Sequence, residues 1–178
     1  MPIDFELSEG SLISQKHYHD IAEKQMRPYS RKYDIEEHTL PTEWVDYWWN
    51  EGRKGPQDPA INNNDGFVTI CLQAEELCWG DAGLYLRMPT PALGGSAVSS
   101  AGTKEQRHKF MSPFREEGGH PIWGAMAITE PQAGSDSAAI ETTADWDEET
   151  EEWVLNGIKI FCTAGEGAST VDGGFVVR

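Results

Sequence analysis

Up to about residue 119 the apolar positions recur at helical spacing. From about Ser8 to Ser30, Ile13, Tyr18, Ile21, Ala22, Met26 and Tyr29 fall near one stripe, which predicts an amphipathic helix that Pro28 disturbs or ends. Pro41-Thr42-Glu43 opens a shorter helix carrying Trp44, Val45, Tyr47, Trp48 and Trp49, and the polar run from Asn50 to Asp65 reads as a long loop. The next helix sets Phe67, Ile70, Cys71, Ala74, Leu77 and Cys78 on one face, and Gly80-Asp81-Ala82-Gly83 stops it. On that face Cys71 and Cys78 are expected to pack. Between Pro89 and Gly102 small residues dominate, among them Ala92, Gly94, Gly95, Ser96 and Ala97, so a helix there admits another backbone or a ligand, or crosses a second helix closely. Thr103-Lys104-Glu105-Gln106 is a capping box, and its helix should end near Pro113.

After Gly118-Gly119 the period shortens to that of extended chain, which sets the expected domain boundary: residues 1–119 helical, residues 120–178 strand-forming. Ile122 to Ile128 reads as a buried strand. Two more strands, about Ala138 to Trp146 and Glu151 to Leu155, flank the polar turn Asp147-Glu148-Glu149-Thr150. Asn156-Gly157 is a two-residue hairpin signal leading into Ile158-Lys159-Ile160-Phe161, and Gly174 to Arg178 is a last strand. The fold class is therefore α+β, an all-helical N-terminal domain followed by an antiparallel β-domain. That β-domain is incomplete, because so few strands leave open edges for further chain or another subunit to cover.

Charge narrows the partners. With 14 Lys plus Arg against 30 Asp plus Glu, a formal net charge of -16, the surface repels nucleic acid and anionic membrane. No apolar run approaches the roughly 20 residues of a membrane span, and Met1 to Glu6 lacks the features of a signal peptide, so a cytoplasmic protein is expected. Three cysteines without zinc-like or CxxC spacing suit reduced thiols. The acids Asp145, Asp147, Glu148, Glu149, Glu151 and Glu152 read as a solvated hairpin tip.

Two stretches carry candidate chemistry. In Ala127-Ile128-Thr129-Glu130-Pro131-Gln132-Ala133-Gly134-Ser135-Asp136 an apolar strand runs into a turn of small and hydroxyl residues, whose backbone N–H groups can converge on an anion such as a pyrophosphate, although ordinary β-turns use the same residues. In Phe161-Cys162-Thr163 a flat aromatic and a hydroxyl, two apart, would share one side of a strand. They can cover a planar ring and bond its edge, or simply be a core Phe beside an edge Thr.

Together these stretches resemble the acyl-CoA dehydrogenase family. The resemblance rests on Ile128-Thr129-Glu130-Pro131-x-Ala133-Gly134-Ser135-Asp136, Ile140, Thr142 or Thr143, and Leu155-Asn156-Gly157-x-Lys159-x-Phe161-x-Thr163-x-Gly165. Upstream, Glu75-Glu76-Leu77 with Gly80-Asp81, and Gly102 to Gln106 with Lys109-Phe110, resemble the closing helices of the family's N-terminal domain. The resemblance implies FAD as cofactor, an acyl-CoA thioester as substrate, an electron-transfer flavoprotein or similar acceptor, and a homo- or hetero-oligomer. It implies Met126, Ile128, Thr129, Gly134, Ser135, Phe161, Cys162 and Thr163 as flavin contacts: Thr129 on the ring's pyrimidine side, Ser135 on the pyrophosphate and beside the CoA portion of the substrate, Thr163 near N5. The catalytic base would come from a C-terminal helical domain or a companion chain, and Glu130 would be a structural acid. Departures from the commonest pattern are Met126 in place of an aromatic, Phe161 in place of Trp, and Gln132 where small residues are frequent. An acyl-CoA oxidase-like enzyme and a non-catalytic flavin-holding subunit are the alternatives, while the family's DNA-associated branch is disfavoured by the negative charge.

Overall fold

The computed structural model describes residues 6–58, 66–116 and 118–177, so the outer part of the predicted loop at 59–65 lies outside the described residues. Two compact units emerge, Met1–Pro89 with Glu117–Pro121, and Thr90–Glu116 with Ile122–Arg178. The helical stretch 90–116 thus clusters with the strands rather than with the helices that precede it.

In the first unit, helix α1 (Glu9–Ile21) starts at Ser8, whose hydroxyl accepts from the Ser11 N–H. It widens into a π-turn over Ala22–Met26 and continues as α2 (Arg27–Ile35), with Pro28 in the first turn of α2. The widened turn explains why Pro28 disturbs the helix without ending it: proline donates no N–H, and the wider ring relieves its clash with the preceding turn. Helix α3 (Thr42–Asn50) and α4 (Gly66–Leu86) complete the unit. At Asp81 the backbone of α4 leaves helical geometry, and the Asp81 carboxylate accepts from the Leu84 N–H at 2.8 Å, so the Gly80-to-Gly83 stretch does break the helix, which then restarts for one turn.

Tyr18, Ile21, Ala22, Met26, Trp44, Trp48, Leu77, Leu84 and Met88 form the core of this unit. A Cβ on Gly80 would stand 2.8 Å from the Ala22 Cβ, so glycine there permits the close approach of α4 to the π-turn. The stripe of α4 that meets α1 is not the predicted one. Ser11 touches Thr69, and Gln15 and His19 bond Glu76, while Leu77 is fully buried; Phe67 and Ile70 are 89% and 61% exposed, and Cys71 and Cys78 are exposed too. The expectation that these two cysteines pack is corrected accordingly. A hydrophobic stripe marks a face but not its neighbour, and α1 brings small and polar side chains that match the adjacent stripe instead.

In the second unit, α5 (Ala92–Ala101) leads to α6 (Lys104–Met111), which the capping box starts as expected: Thr103 Oγ1 accepts from the Gln106 N–H at 3.2 Å, and the Gln106 side chain accepts from the Thr103 N–H at 2.8 Å. Strand β1 (Gly124–Met126) pairs in parallel with β4 (Phe175–Val177), in the register Gly124 to Phe175 and Met126 to Val177. Strands β2 (Thr143–Asp147) and β3 (Glu152–Asn156) form an antiparallel hairpin whose turn is anchored by Asp147, which accepts from the N–H groups of Glu149 and Thr150. Helix α7 (Gly165–Thr170) precedes β4.

Three expectations for this unit need correction. The strand predicted over Ile122–Ile128 bonds to β4 only from the Trp123 carbonyl to the Ala127 N–H, because residues 128–130 turn away into a loop. The sheet containing β1 is parallel, not antiparallel. Asn156-Gly157 makes no hairpin: Asn156 ends β3 and residues 157–162 form no strand. Glycine at 157 serves close approach instead, since a Cβ there would lie 2.1 Å from the Thr142 hydroxyl oxygen. Small residues on α5 let another backbone come near, as one reading of that segment allowed; a Cβ on Gly94 would be 2.5 Å from the Ala125 carbonyl oxygen, and one on Gly124 2.4 Å from that of Pro91.

Candidate functional site

The site is built where the end of β1 meets the chain that follows β3. Residues 128–130 and 159–160 run side by side, joined by the Ile160 N–H, which donates to the Thr129 carbonyl at 2.8 Å. Lys159 reaches across from the same side. Its ammonium donates to the Ile128 carbonyl at 3.0 Å and to Glu130 Oε1 at 2.6 Å.

Glu130 is the hub of this arrangement. Although its side chain is only 3% exposed, its two oxygens accept from the Glu141 N–H at 2.8 Å, the Thr142 N–H at 3.1 Å, the Thr142 hydroxyl, the Gln132 amide at 2.7 Å and the Lys159 ammonium. Burial of a lone carboxylate is costly, and this one persists because every lone pair is used. The Lys159 ammonium first, then the Thr142 hydroxyl and the Glu141 N–H, hold its carboxyl far below the usual carboxylate range. Glu130 is thereby fixed as an ionised acceptor. A carboxylate with no free lone pair and so little basicity is a poor proton acceptor, which agrees with the structural role that the motif implied.

The sign of the resulting pH dependence follows. Because the folded-state pKa is depressed, the stabilisation is complete above the unfolded value of about 4.3 and is lost as the pH falls toward the folded one. Protection of the Glu141, Thr142 and Ile160 amides relative to the unfolded chain should therefore be full at pH 5 and fall only in stronger acid, and Glu130→Gln should lower that protection and make it nearly independent of pH. Equal protection in parent and variant would contradict the hub role.

Between Glu130 and Ala133 the chain makes a tight turn with N–H to carbonyl bonds in both directions, 2.9 and 3.1 Å. Gly134 and Ser135 follow immediately and are exposed. Among the described residues no group accepts from their amide N–H groups, and nothing stands within 4 Å of where a Gly134 Cβ would be. Open, unpaired amides at a turn suit an anionic ligand. On the other side, Phe161 is 87% exposed with φ of +56°, and Ala164 has φ of +61°. Each left-handed non-glycine residue costs about 1–2 kcal/mol, and such residues cluster at ligand sites. Phe161 lies in irregular chain and Thr163 in a turn, not in a strand, so strand alternation does not set the two on one side.

Of the sequence-predicted residues, Met126 ends β1 half-buried, Ile128 is 40% exposed and Thr129 half-buried, while Cys162 is half-buried and Thr163 exposed. The structure brings Ile128 and Thr129 directly to the segment that continues into Phe161, Cys162 and Thr163. Gly134 and Ser135 are joined to Thr129 through the Glu130–Ala133 turn. Sequence reasoning assigned no task to Lys159, Thr142 or Gln132. Gln132, noted only as a departure, completes the set of donors around Glu130. The signal for such a role was the structural acid that the family motif places at Glu130.

The family model for the acyl-CoA dehydrogenase N-terminal domain matches residues 9–117, and that for the acyl-CoA dehydrogenase middle domain matches residues 125–174. An acryloyl-CoA reductase (NADH) of Anaerotignum propionicum is 31% identical over 95% of this chain and 42% of its own. Among solved structures, one reported for the electron transferring flavoprotein of Acidaminococcus fermentans is 29% identical with a TM-score of 0.73, covering 92% of this chain and 42% of that one. The butyryl-CoA dehydrogenase of Megasphaera elsdenii is 26% identical with a TM-score of 0.72, covering 93% and 43%. This chain thus spans about two fifths of the length of these relatives. Among the described residues no helix is long and apolar enough to cross a membrane. With both family models matched in order and one of them covering more than half of its residues, the chain belongs to the acyl-CoA dehydrogenase family.

Proposed function

We propose that this chain, with residues 1–119 and 120–178 as its two domains, supplies the flavin-holding part of an FAD-dependent acyl-CoA oxidoreductase of the cytoplasm. The observation that carries the reading is the bond from the Ile160 N–H to the Thr129 carbonyl, reinforced by the Glu130 hub, which draws both motif elements to one place. Thr129 would hold the pyrimidine side of the flavin, Ser135 and the Gly134 amide the pyrophosphate, and Phe161, Cys162 and Thr163 the ring near N5, with Met126 and Ile128 lining the same ledge. The exposure of Phe161 and the open amides of Gly134 and Ser135 fit such a ligand. When bound, FAD supplies the two-electron chemistry at the carbons next to an acyl-CoA thioester. The chain's own task is alignment: hydroxyls and amides set the ring's position, and Ser135 also meets the CoA portion of the substrate. Glu130, with its lone pairs occupied, is not the base; a C-terminal helical domain or a companion chain supplies that group. An electron-transfer flavoprotein is the natural acceptor, and the likeness to the structure from Acidaminococcus fermentans supports it.

The relative named a reductase favours a second reading, in which the same site saturates a double bond instead of forming one. Peroxide formation in air would instead mark an oxidase, and flavin uptake without any turnover a holding subunit.

The test uses the protein together with whatever further domain or companion chain accompanies it. It should purify with a visible flavin spectrum and bleach under an acyl-CoA substrate. Thr129→Val and Thr163→Val should each weaken FAD binding about fivefold, the equivalent of one lost hydrogen bond of about 1 kcal/mol. A colourless protein that takes up no added FAD would refute the reading.

A further inference from the structure

Three consecutive residues, Ile128, Thr129 and Glu130, are each bonded to the segment after β3, and two of the three bonds come from one ammonium. Lys159 Nζ takes the Ile128 carbonyl and the Glu130 carboxylate, and the Ile160 N–H takes the Thr129 carbonyl. The next residue is Phe161, exposed and in the left-handed region. With Lys159 in place, both sides of the ledge are locked in one register just before the chain makes its strained turn. Without it a single backbone bond would remain, and the turn at Phe161 could relax toward ordinary geometry. The Lys159 side chain is 12% exposed and Glu130 3%, so water does not readily replace the bond between them, while the bond to the Ile128 carbonyl is exposed.

We propose that Lys159 is a positioning residue for the flavin: it sets the spacing between the Thr129 side and the Phe161–Thr163 side of the ring, and so tunes the ring's environment without touching it. The proposal rests on the flavin reading above. A long flexible stem ending in a point charge with several donors suits a bridge between a carbonyl and a carboxylate, whereas the planar fork of arginine favours a carboxylate approached edge-on.

The experiment compares the FAD-loaded full-length protein with Lys159→Met and Lys159→Arg, reading FAD affinity, the shape of the visible flavin band and the reduction potential. Circular dichroism and thermal unfolding serve as folding controls. Lys159→Met should bind FAD on the order of tenfold to a hundredfold more weakly, with a broadened band and a shifted potential. Lys159→Arg, which keeps the charge, should restore folding and much of the affinity but not the band shape or the potential. A Met variant that is folded and indistinguishable from the parent in all three readouts overturns the proposal. If the Met variant does not fold, the Arg variant decides: parental affinity, band and potential in that variant reduce Lys159 to a purely structural residue. A parent protein that takes up no FAD fails the flavin reading itself and takes this proposal with it.

Discussion

Trp44→Ala should destabilise the helical unit by about 3–5 kcal/mol, the usual cost of emptying a fully buried aromatic site. Trp44 is 0% exposed, and its ring lies 5.6 Å from that of Trp48 and 6.1 Å from that of Tyr47, both on α3. Its indole N–H donates to the Leu84 carbonyl at 2.7 Å, so truncation leaves a cavity and also removes one of the two donors to that carbonyl, the other being the Arg87 N–H at 3.1 Å. Trp44→Phe should cost much less, since it keeps most of the volume and loses mainly the hydrogen bond. Urea unfolding followed by far-ultraviolet circular dichroism measures both. A loss below about 1 kcal/mol for the alanine variant would show that the unit has no single core around this ring.

The second large effect concerns Gly94, where propensity and packing predict opposite signs. In an exposed helix interior, glycine to alanine gains about 1 kcal/mol. At position 94 the new methyl would stand 2.5 Å from the Ala125 carbonyl oxygen and 2.9 Å from the Ala125 nitrogen, both backbone atoms that cannot swing aside. Overpacking of this kind costs about 1–3 kcal/mol, and displaced backbone falls at the upper end. Gly94→Ala should therefore destabilise the second unit, and Gly94→Val more strongly, with the added cost visible as weakened protection of the β1 amides. A stabilised Gly94→Ala protein would mean that α5 does not lie on β1 as described. The matching constraint at Gly124 on the strand side makes the contact mutual.

What the sequence disclosed follows a physical division between local and non-local causes. The capping box at Thr103, the start of α3 at Thr42 and the β2–β3 hairpin depend on residues a few positions apart, and all are present. The core positions Tyr18, Ile21, Ala22 and Met26 were legible because one helix face has one period. The burial of α4 was not, since the stripe through Phe67, Ile70 and Cys71 says nothing of which helix arrives or with what side chains. Asn156-Gly157 carried a strong local turn signal that lost to a non-local cause, the attachment of residues 159–160 to residues 128–130. At the candidate site the motif named the residues proposed above to face a ligand. It could not name the clasp behind them, because Glu130, Gln132, Thr142 and Lys159 meet only in three dimensions. The left-handed turn at Phe161 is likewise invisible to propensity, which argues against phenylalanine there.

The parallel pairing of β1 with β4 fixes an order of events for the nascent chain. Gly124 emerges long before its partner Phe175, and loop closure across the intervening chain carries an entropic cost that adjacent hairpins avoid. The helices and the β2–β3 hairpin can assemble while translation is still under way, but the strand that launches the Thr129 ledge acquires its ladder only when Val177 has been delivered. Maturation of the ledge therefore waits on β4, and the ribosome exposes it unfinished until that strand docks.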